Sequence, residues 1–303
     1  MENLRGLVGI IVLLGIAVAF SSNRKKINIR IVGAALGLQA VVAALVLYFE
    51  AGRTAIDWMS TGVLVVISSS KAGIDMVFGP LADLSKIEFI FAVQVLSVVI
   101  FFSALMSVMY HLRIMDWIVK IVGGGIHKIV GTGVIESMNA AANIFVGQTE
   151  APLAVKPYLK NLTEAQMFTV MVSGVASIAG TMLAGYVLMG AELKYLLAAS
   201  LMAAPGGLLM AKIIMPDDEV APNGGYEKIV MEPSRHKNVI LAAASGTTDG
   251  LRLAANIGAM LIAFVALIAL FNGMVGGIFS FFGIEGITLQ LLLGKLFQPL
   301  MYL

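Results

Sequence analysis

Asn143-Ile144-Phe145-Val146-Gly147-Gln148-Thr149-Glu150-Ala151-Pro152 is the stretch that decides how this chain is read. It is polar, broken by glycine and proline, and carries a carboxylate, inside a protein whose other long stretches are apolar. Burying an ionisable, hydrogen-bonding cluster between apolar helices is costly, so such a cluster marks a solute or ion pathway before it marks packing. The preceding Val134 to Val146 suits a helical arm of about 13 residues, roughly 20 Å, too short to cross a hydrocarbon core alone. Gly147 permits a backbone turn. Pro152 has no N–H, so the Gln148 carbonyl loses its usual helical partner, and because proline is tolerated in a first turn a second arm is expected to begin near Thr149 to Pro152. Two short arms meeting at a polar tip make a re-entrant hairpin, whose irregular backbone must be sheltered by protein or line a watery cavity.

The rest of the chain supplies the lipid setting. Hydrophobic residues are 59% of 303 positions and charged residues 13%, with a mean hydropathy of +0.94, well away from the balance of a soluble domain. Runs at Ile31 to Phe49, Phe89 to Tyr110, Ala165 to Ala191, Tyr195 to Ala211 and Leu253 to Ile284 are long enough, or nearly so, to cross a bilayer as helix. Gly6 to Phe20 is a shorter candidate; lacking a basic leader and a small-residue cleavage site, it reads as a retained helix. The fold class is therefore an all-α polytopic membrane protein with interfacial helices and a re-entrant helical hairpin. Arg24, Lys25, Lys26 and Arg30 place the loop at 21–30 in the cytoplasm and the amino terminus outside. The net charge of +2 comes from scattered residues with no basic, aromatic groove, so nucleic acid is not an expected partner. Cysteine is absent, which excludes disulfides, zinc thiolates and thiol nucleophiles.

Along the chain, Thr54 to Gly73 mixes apolar residues with serines and single charges and suits an interfacial amphipathic helix ending at Phe78-Gly79-Pro80. Lys71 and Asp75 read as a solvated pair. Ile87 to Gly125 is expected as one long helix, broken afterwards by Gly123 to Gly125, with His111 and His127 as interfacial residues. A helix is expected from Thr163 to Gly190; its stripe Ser173, Ser177, Thr181, Gly185 reads first as a surface for close helix approach, with Ser177 singled out. Ala203-Ala204-Pro205-Gly206-Gly207 is expected to break or kink the following span. Residues 216–237, with Asp217, Asp218, Glu219, Glu227 and Glu232 against Lys228, Arg235 and Lys237, read as a solvated loop. Asn238 to Arg252 reads as interfacial, followed by a last span from Leu253.

At the tip, Gln148 offers amide donors and an acceptor, Thr149 a hydroxyl, and Glu150 a strong acceptor. That set matches a small, neutral solute with alternating donors and acceptors, such as a heterocyclic base. Asn143, the carbonyls freed around Val146, and the Ser177 hydroxyl supply oxygen ligands only, which suit sodium better than a soft transition metal. Taken singly, Asn139 and Asn143 read as helix ties worth about 0.6–2 kcal/mol each. Glu150 within the broken, proline-ended cluster reads as function.

Glu136 to Pro152, ending in the quoted ten residues, resembles the first re-entrant hairpin of the concentrative nucleoside transporters. Ser177-Ile178-Ala179-Gly180 and the run from Ala203 to Met210 resemble the two helices that follow it. The similarity extends from about residue 24 to the end. It implies a homotrimer in the cytoplasmic membrane that imports nucleosides with sodium as coupling ion and no other cofactor, by an elevator-like displacement of a transport domain against a scaffold. By that pattern Gly147, Gln148, Thr149, Glu150 and Met182 face the nucleoside, and Asn143, the Val146 carbonyl, Ser177 and the Ile178 carbonyl hold sodium. The division would be 1–53 and 87–125 as scaffold spans, 54–86 as interfacial helices, 126–215 as transport-domain hairpin and two helices, 216–252 as polar loop and interfacial helix, and 253–303 as a span and the start of a second half. In the family the pattern continues past Leu303 through a second hairpin, so the expected architecture is an inverted repeat with its second half incomplete, in a fragment that binds nucleoside weakly or not at all.

Two other readings compete. A proton could replace sodium, with Glu150 titrating. The chain could instead be a non-transporting scaffold, or an intramembrane enzyme using Glu150, which would need a second catalytic group that the sequence does not offer.

Overall fold

A computed structural model describes all residues except 1, 84, 86, 149–150, 156–157, 159–161, 218–235, 282–285 and 302–303. Among the described residues every regular element is helical. They form two compact units, one of Phe20–Ala254 and one of Met1–Ala19 with Ala255–Leu303.

The first helix, α1 (Glu2–Ala19), belongs to the second unit. In the larger unit α2 (Ile29–Tyr48) begins where the Asn28 side chain accepts the amides of Arg30 and Ile31 at 3.1 and 3.4 Å, satisfying first-turn donors that have no carbonyl to bond. α3 (Glu50–Phe78) has 29 residues, long and apolar enough by length and composition to cross a membrane. The mixed polarity of 54–80 suggested an interfacial helix; its length admits a crossing as well.

The long helix expected over 87–125 is two helices. A π-helical turn, Ala92–Leu96, leads into α4 (Ser97–His111), and Arg113, at a left-handed φ of 61°, separates it from α5 (Ile114–Val130). Gly123 to Gly125 do not end α5. It runs to Gly131, whose φ of 82° closes it. Gly123 serves approach instead: a Cβ there would stand 2.8 Å from the Cα of Met138 on the next helix.

That next helix, α6 (Val134–Asn143), is buried from Ile135 onward. It is three residues shorter than the arm expected to Val146: Ile144 and Phe145 donate three residues back, and Val146 makes a last four-back bond to the Ala142 carbonyl at 2.9 Å. A single turn, α7 (Ala151–Ala154), starts the second arm with Pro152 in its first turn, as the proline rule requires. The helix expected from Thr163 to Gly190 is also two: α8 (Glu164–Val175) and α9 (Gly180–Leu188). Thr163 opens α8 with a reciprocal cap to Gln166, both bonds at 3.2 Å. α10 (Leu193–Ile214) is continuous with Pro205 inside it, so of the expected break or kink at 203–207 the break does not occur. α6 packs against α5, α8 and α10, and α10 also against α2.

α11 (Val239–Phe281) joins the stretch expected at the interface and the last span into one 43-residue helix, about 65 Å at 1.5 Å per residue. Its first turns pack on α4, where the Ser107 hydroxyl donates to the Ala242 carbonyl at 2.7 Å. In the smaller unit Asn272 of α11 accepts the Leu289 amide at 2.7 Å and donates to Gln290 at 2.9 Å, holding the start of α12 (Leu289–Met301).

Candidate functional site

Two interrupted helices meet at the quoted segment. After Asn143 the amides of Ile144 and Phe145 reach back three residues, to Ala141 at 3.3 Å and Ala142 at 3.0 Å, and the Ala151 amide donates to the Gly147 carbonyl at 3.0 Å. Opposite, α8 stops at Val175 and α9 starts at Gly180. The Ser177 hydroxyl turns back onto the Gly174 carbonyl at 3.0 Å, a local bond that competes with the helical ladder.

The two breaks touch. A Cβ on Gly180 would lie 1.8 Å from the Phe145 carbonyl oxygen, and one on Gly174 would lie 2.9 Å from Gln148 Cβ and 3.8 Å from Asn143 Oδ1. Only glycine lets the backbones approach this closely. Close backbone contact here explains why α8 and α9 do not fuse.

Beneath the breaks lies a buried amide and hydroxyl cluster. Asn139 Nδ2 donates to Ser173 Oγ at 2.8 Å and to the Val170 carbonyl at 3.1 Å; Asn143 Nδ2 donates to the Asn139 carbonyl at 3.0 Å and, at 3.4 Å, to Ser173 Oγ. Both asparagines are wholly buried, yet among the described residues Asn139 Oδ1 and Asn143 Oδ1 have no donor. A buried acceptor left unpaired costs about 1–3 kcal/mol. Beside a backbone that has left its ladder, the Asn143 oxygen is suited to a hard cation, so the donor set fits sodium.

The expected site residues are distributed around this meeting point. Asn143, Val146 and Gly147 are buried, Gln148 is exposed, and Ser177, Ile178 and Met182 are half-buried. The Ile178 side chain packs into an apolar cluster with Ile56, Leu183, Leu193 and Leu197, so the oxygen it can offer is its carbonyl. Thr149 and Glu150 lie outside the described residues. Ser173, passed over in favour of Ser177, is the hydroxyl that both asparagine amides reach.

A second polar group went unread in the sequence. Lys212, on the last turn of α10, places Nζ 2.6 Å from Glu136 Oε1 and 2.6 Å from Asp217 Oδ1, with Lys212 and Glu136 only 3% and 1% exposed. Asp217, expected in a solvated loop, is thus paired with a buried ammonium. Glu136 Oε2 also accepts the Gly133 amide at 2.8 Å, capping α6. Removing one partner of such a pair strands a buried charge, at about 3–5 kcal/mol. The readable signal was a lysine and a glutamate at the ends of otherwise apolar helices.

Comparison with known proteins matches the whole architecture. Three family models tile the chain: Na+ dependent nucleoside transporter N-terminus over residues 8–81, Nucleoside recognition over 92–193, and Na+ dependent nucleoside transporter C-terminus over 195–303. An uncharacterized transporter of Haemophilus influenzae is 50% identical across all of this chain and 72% of its own length. Nucleoside permease NupC of Helicobacter pylori is 45% identical, with all of this chain and 72% of the permease aligned. The solved structure of CNTnw in an inward-facing substrate-bound state superposes with a TM-score of 0.93 at 47% identity, covering 99% of this chain and 72% of that one.

Proposed function

The chain belongs to the concentrative nucleoside transporter family, and on that footing we propose that it imports nucleosides against their gradient by coupling their entry to sodium. It is a membrane carrier and not an enzyme. Gly147, Gln148, Thr149, Glu150 and Met182 hold the nucleoside in this reading, and Asn143, the Val146 carbonyl, Ser177 and the Ile178 carbonyl hold sodium. The observation that carries the ion is the wholly buried Asn143 Oδ1, which has no donor among the described residues, beside a helix end whose following backbone is irregular. A cation answers both, and half-helix ends around unwound backbone are how carriers build such sites.

The paired breaks move across the bilayer as a body, in an elevator-like displacement against α2 and the other long apolar helices, and three copies make the working assembly. The Ser22 amide donates to the Ile214 carbonyl at 2.8 Å, so the basic loop at 21–30 and the root of the linker after α10 lie together. The positive-inside rule assigns that face to the cytoplasm and the amino terminus to the outside of a bacterial-type cytoplasmic membrane.

The test is uptake of labelled uridine by cells or vesicles carrying the transporter, in sodium buffer and in choline buffer at one pH. Sodium-dependent accumulation, lost in Asn143→Ala and kept in Lys71→Ala, is expected. Equal uptake in both buffers overturns the coupling ion, and a response to a pH step at constant sodium then assigns the proton instead.

A further inference from the structure

Glu136, Asn139 and Asn143 stand at i, i+3 and i+7 of α6, on one helical face. The face carries the ion pair at its amino end and the asparagine and serine cluster at its carboxyl end, about 10 Å apart at 1.5 Å per residue. Between them Ala140, Ala141 and Ala142 are wholly buried. Alanines make shallow ridges, so their packing resists sliding and rotation of α6 weakly. Beside the packing of the buried Ile135 and Met138, polar contacts at the two ends of this face set its register.

We propose that Lys212 is a positioning residue for transport: by holding Glu136 it fixes the register of α6 on α10, and through that rigid helix the aim of Asn143 and the 144–148 turn at ion and solute. The contact is a close ion pair between two buried groups, at 2.6 Å, whose attraction in a low-dielectric interior falls off with separation, and Lys212 stands on a 22-residue helix whose carboxyl end is tied at Ile214. Asp217 supplies the second carboxylate from the linker and accepts a hydrogen bond from the same ammonium at 2.6 Å. A buried ion pair adds little stability over an apolar pair of like size; on the site-bearing face it holds α6 at one distance from α10. The sodium part of this inference rests on the function proposed above.

The experiment uses the intact transporter in vesicles, with uridine and sodium half-saturation measured per molecule reaching the membrane. Glu136→Gln/Lys212→Met removes the pair without stranding a buried charge, and Asp217→Asn leaves the Lys212 to Glu136 contact intact. The double variant is expected to raise the half-saturating concentration of sodium, of uridine, or of both by about tenfold, while Asp217→Asn stays within about twofold of the unmodified protein. Unchanged half-saturation in the double variant overturns the proposal and leaves the pair a stabilising contact. A shift in Asp217→Asn as large as in the double variant overturns it too, since linker charge would then govern. Should the double variant not accumulate, Lys212→Arg, which keeps the charge on a wider planar group, is read the same way: a several-fold rise supports the register role, and wild-type values overturn it. If the unmodified protein shows no sodium dependence, the coupling proposal fails, while the uridine shift still reports on Lys212.

Discussion

Gly180 stands where the Phe145 carbonyl oxygen comes in, so close that a Cβ on residue 180 would lie 1.8 Å from that oxygen. The two helix breaks are held face to face by this contact. Gly180→Ala therefore has to push the hairpin backbone away from α9. The expected outcome is uridine uptake at background with a thermal midpoint lowered by about 1–3 kcal/mol of destabilisation, the usual cost of overpacking. Normal uptake by Gly180→Ala would mean the breaks do not work as a unit.

Ser173 gathers the amides of Asn139 and Asn143. Ser173→Ala removes the hydroxyl the two amides share, leaving Asn143 held by the Asn139 carbonyl and Asn139 by the Val170 carbonyl. Half-saturating sodium should rise by about tenfold, roughly 1.4 kcal/mol, with a smaller change in uridine half-saturation at saturating sodium. A sodium titration of uptake checks it, and an unshifted curve assigns Ser173 to packing alone.

The crossing of α11 over α4 depends on two small positions one turn apart. A Cβ on Gly246 would stand 2.5 Å from Ser107 Cβ, and one on Gly250 2.9 Å from the Cα of Ile100. Gly250→Leu should lower stability by about 1–3 kcal/mol and leave half-saturation constants unchanged in the protein that folds. Thermal unfolding in detergent together with uptake separates the two effects, and a shift in half-saturation would tie this crossing to the site.

Asp116, in α5 and outside the helices long and apolar enough to cross a membrane, has its carboxyl held above the ordinary carboxylate range, burial raising it and Arg113 opposing. A carboxyl raised in the fold favours the folded state when protonated and penalises it when charged. The penalty grows as pH climbs from the ordinary carboxylate value to the raised one and is complete above it. Asp116→Asn should thus raise the thermal midpoint near neutral pH, and the gain should vanish in acid. A gain that persists in acid would point to packing.

The hairpin tip was legible because its signals are local: glycine, proline and a carboxylate within ten residues, flanked by arms too short to span. The helix N-terminus at Thr163 was legible for the same reason, since its capping partner Gln166 is three residues away. The break at 176–179 was not. Ala176 to Gly180 contains no residue that forbids helix, and what interrupts it is the backbone of Phe145 arriving from elsewhere in the chain. Conversely, Gly123 to Gly125 and Pro205 looked like breaks, yet α5 and α10 run through them. Close packing of Gly123 against α6 holds α5 together there, and a single proline removes one ladder bond from a 22-residue helix without ending it.

The sequence alone determined that the chain lives in lipid as helices and that a broken, polar tip near Gly147 enters it, because hydropathy and turn chemistry act over a few consecutive residues. Tertiary structure decided that Ser173, and not Ser177, gathers the asparagine amides, that α8 and α9 part where Phe145 arrives, and that Lys212 joins Glu136 to Asp217. Those are contacts between residues far apart in the chain, and no periodicity records which distant partner a buried polar group will meet.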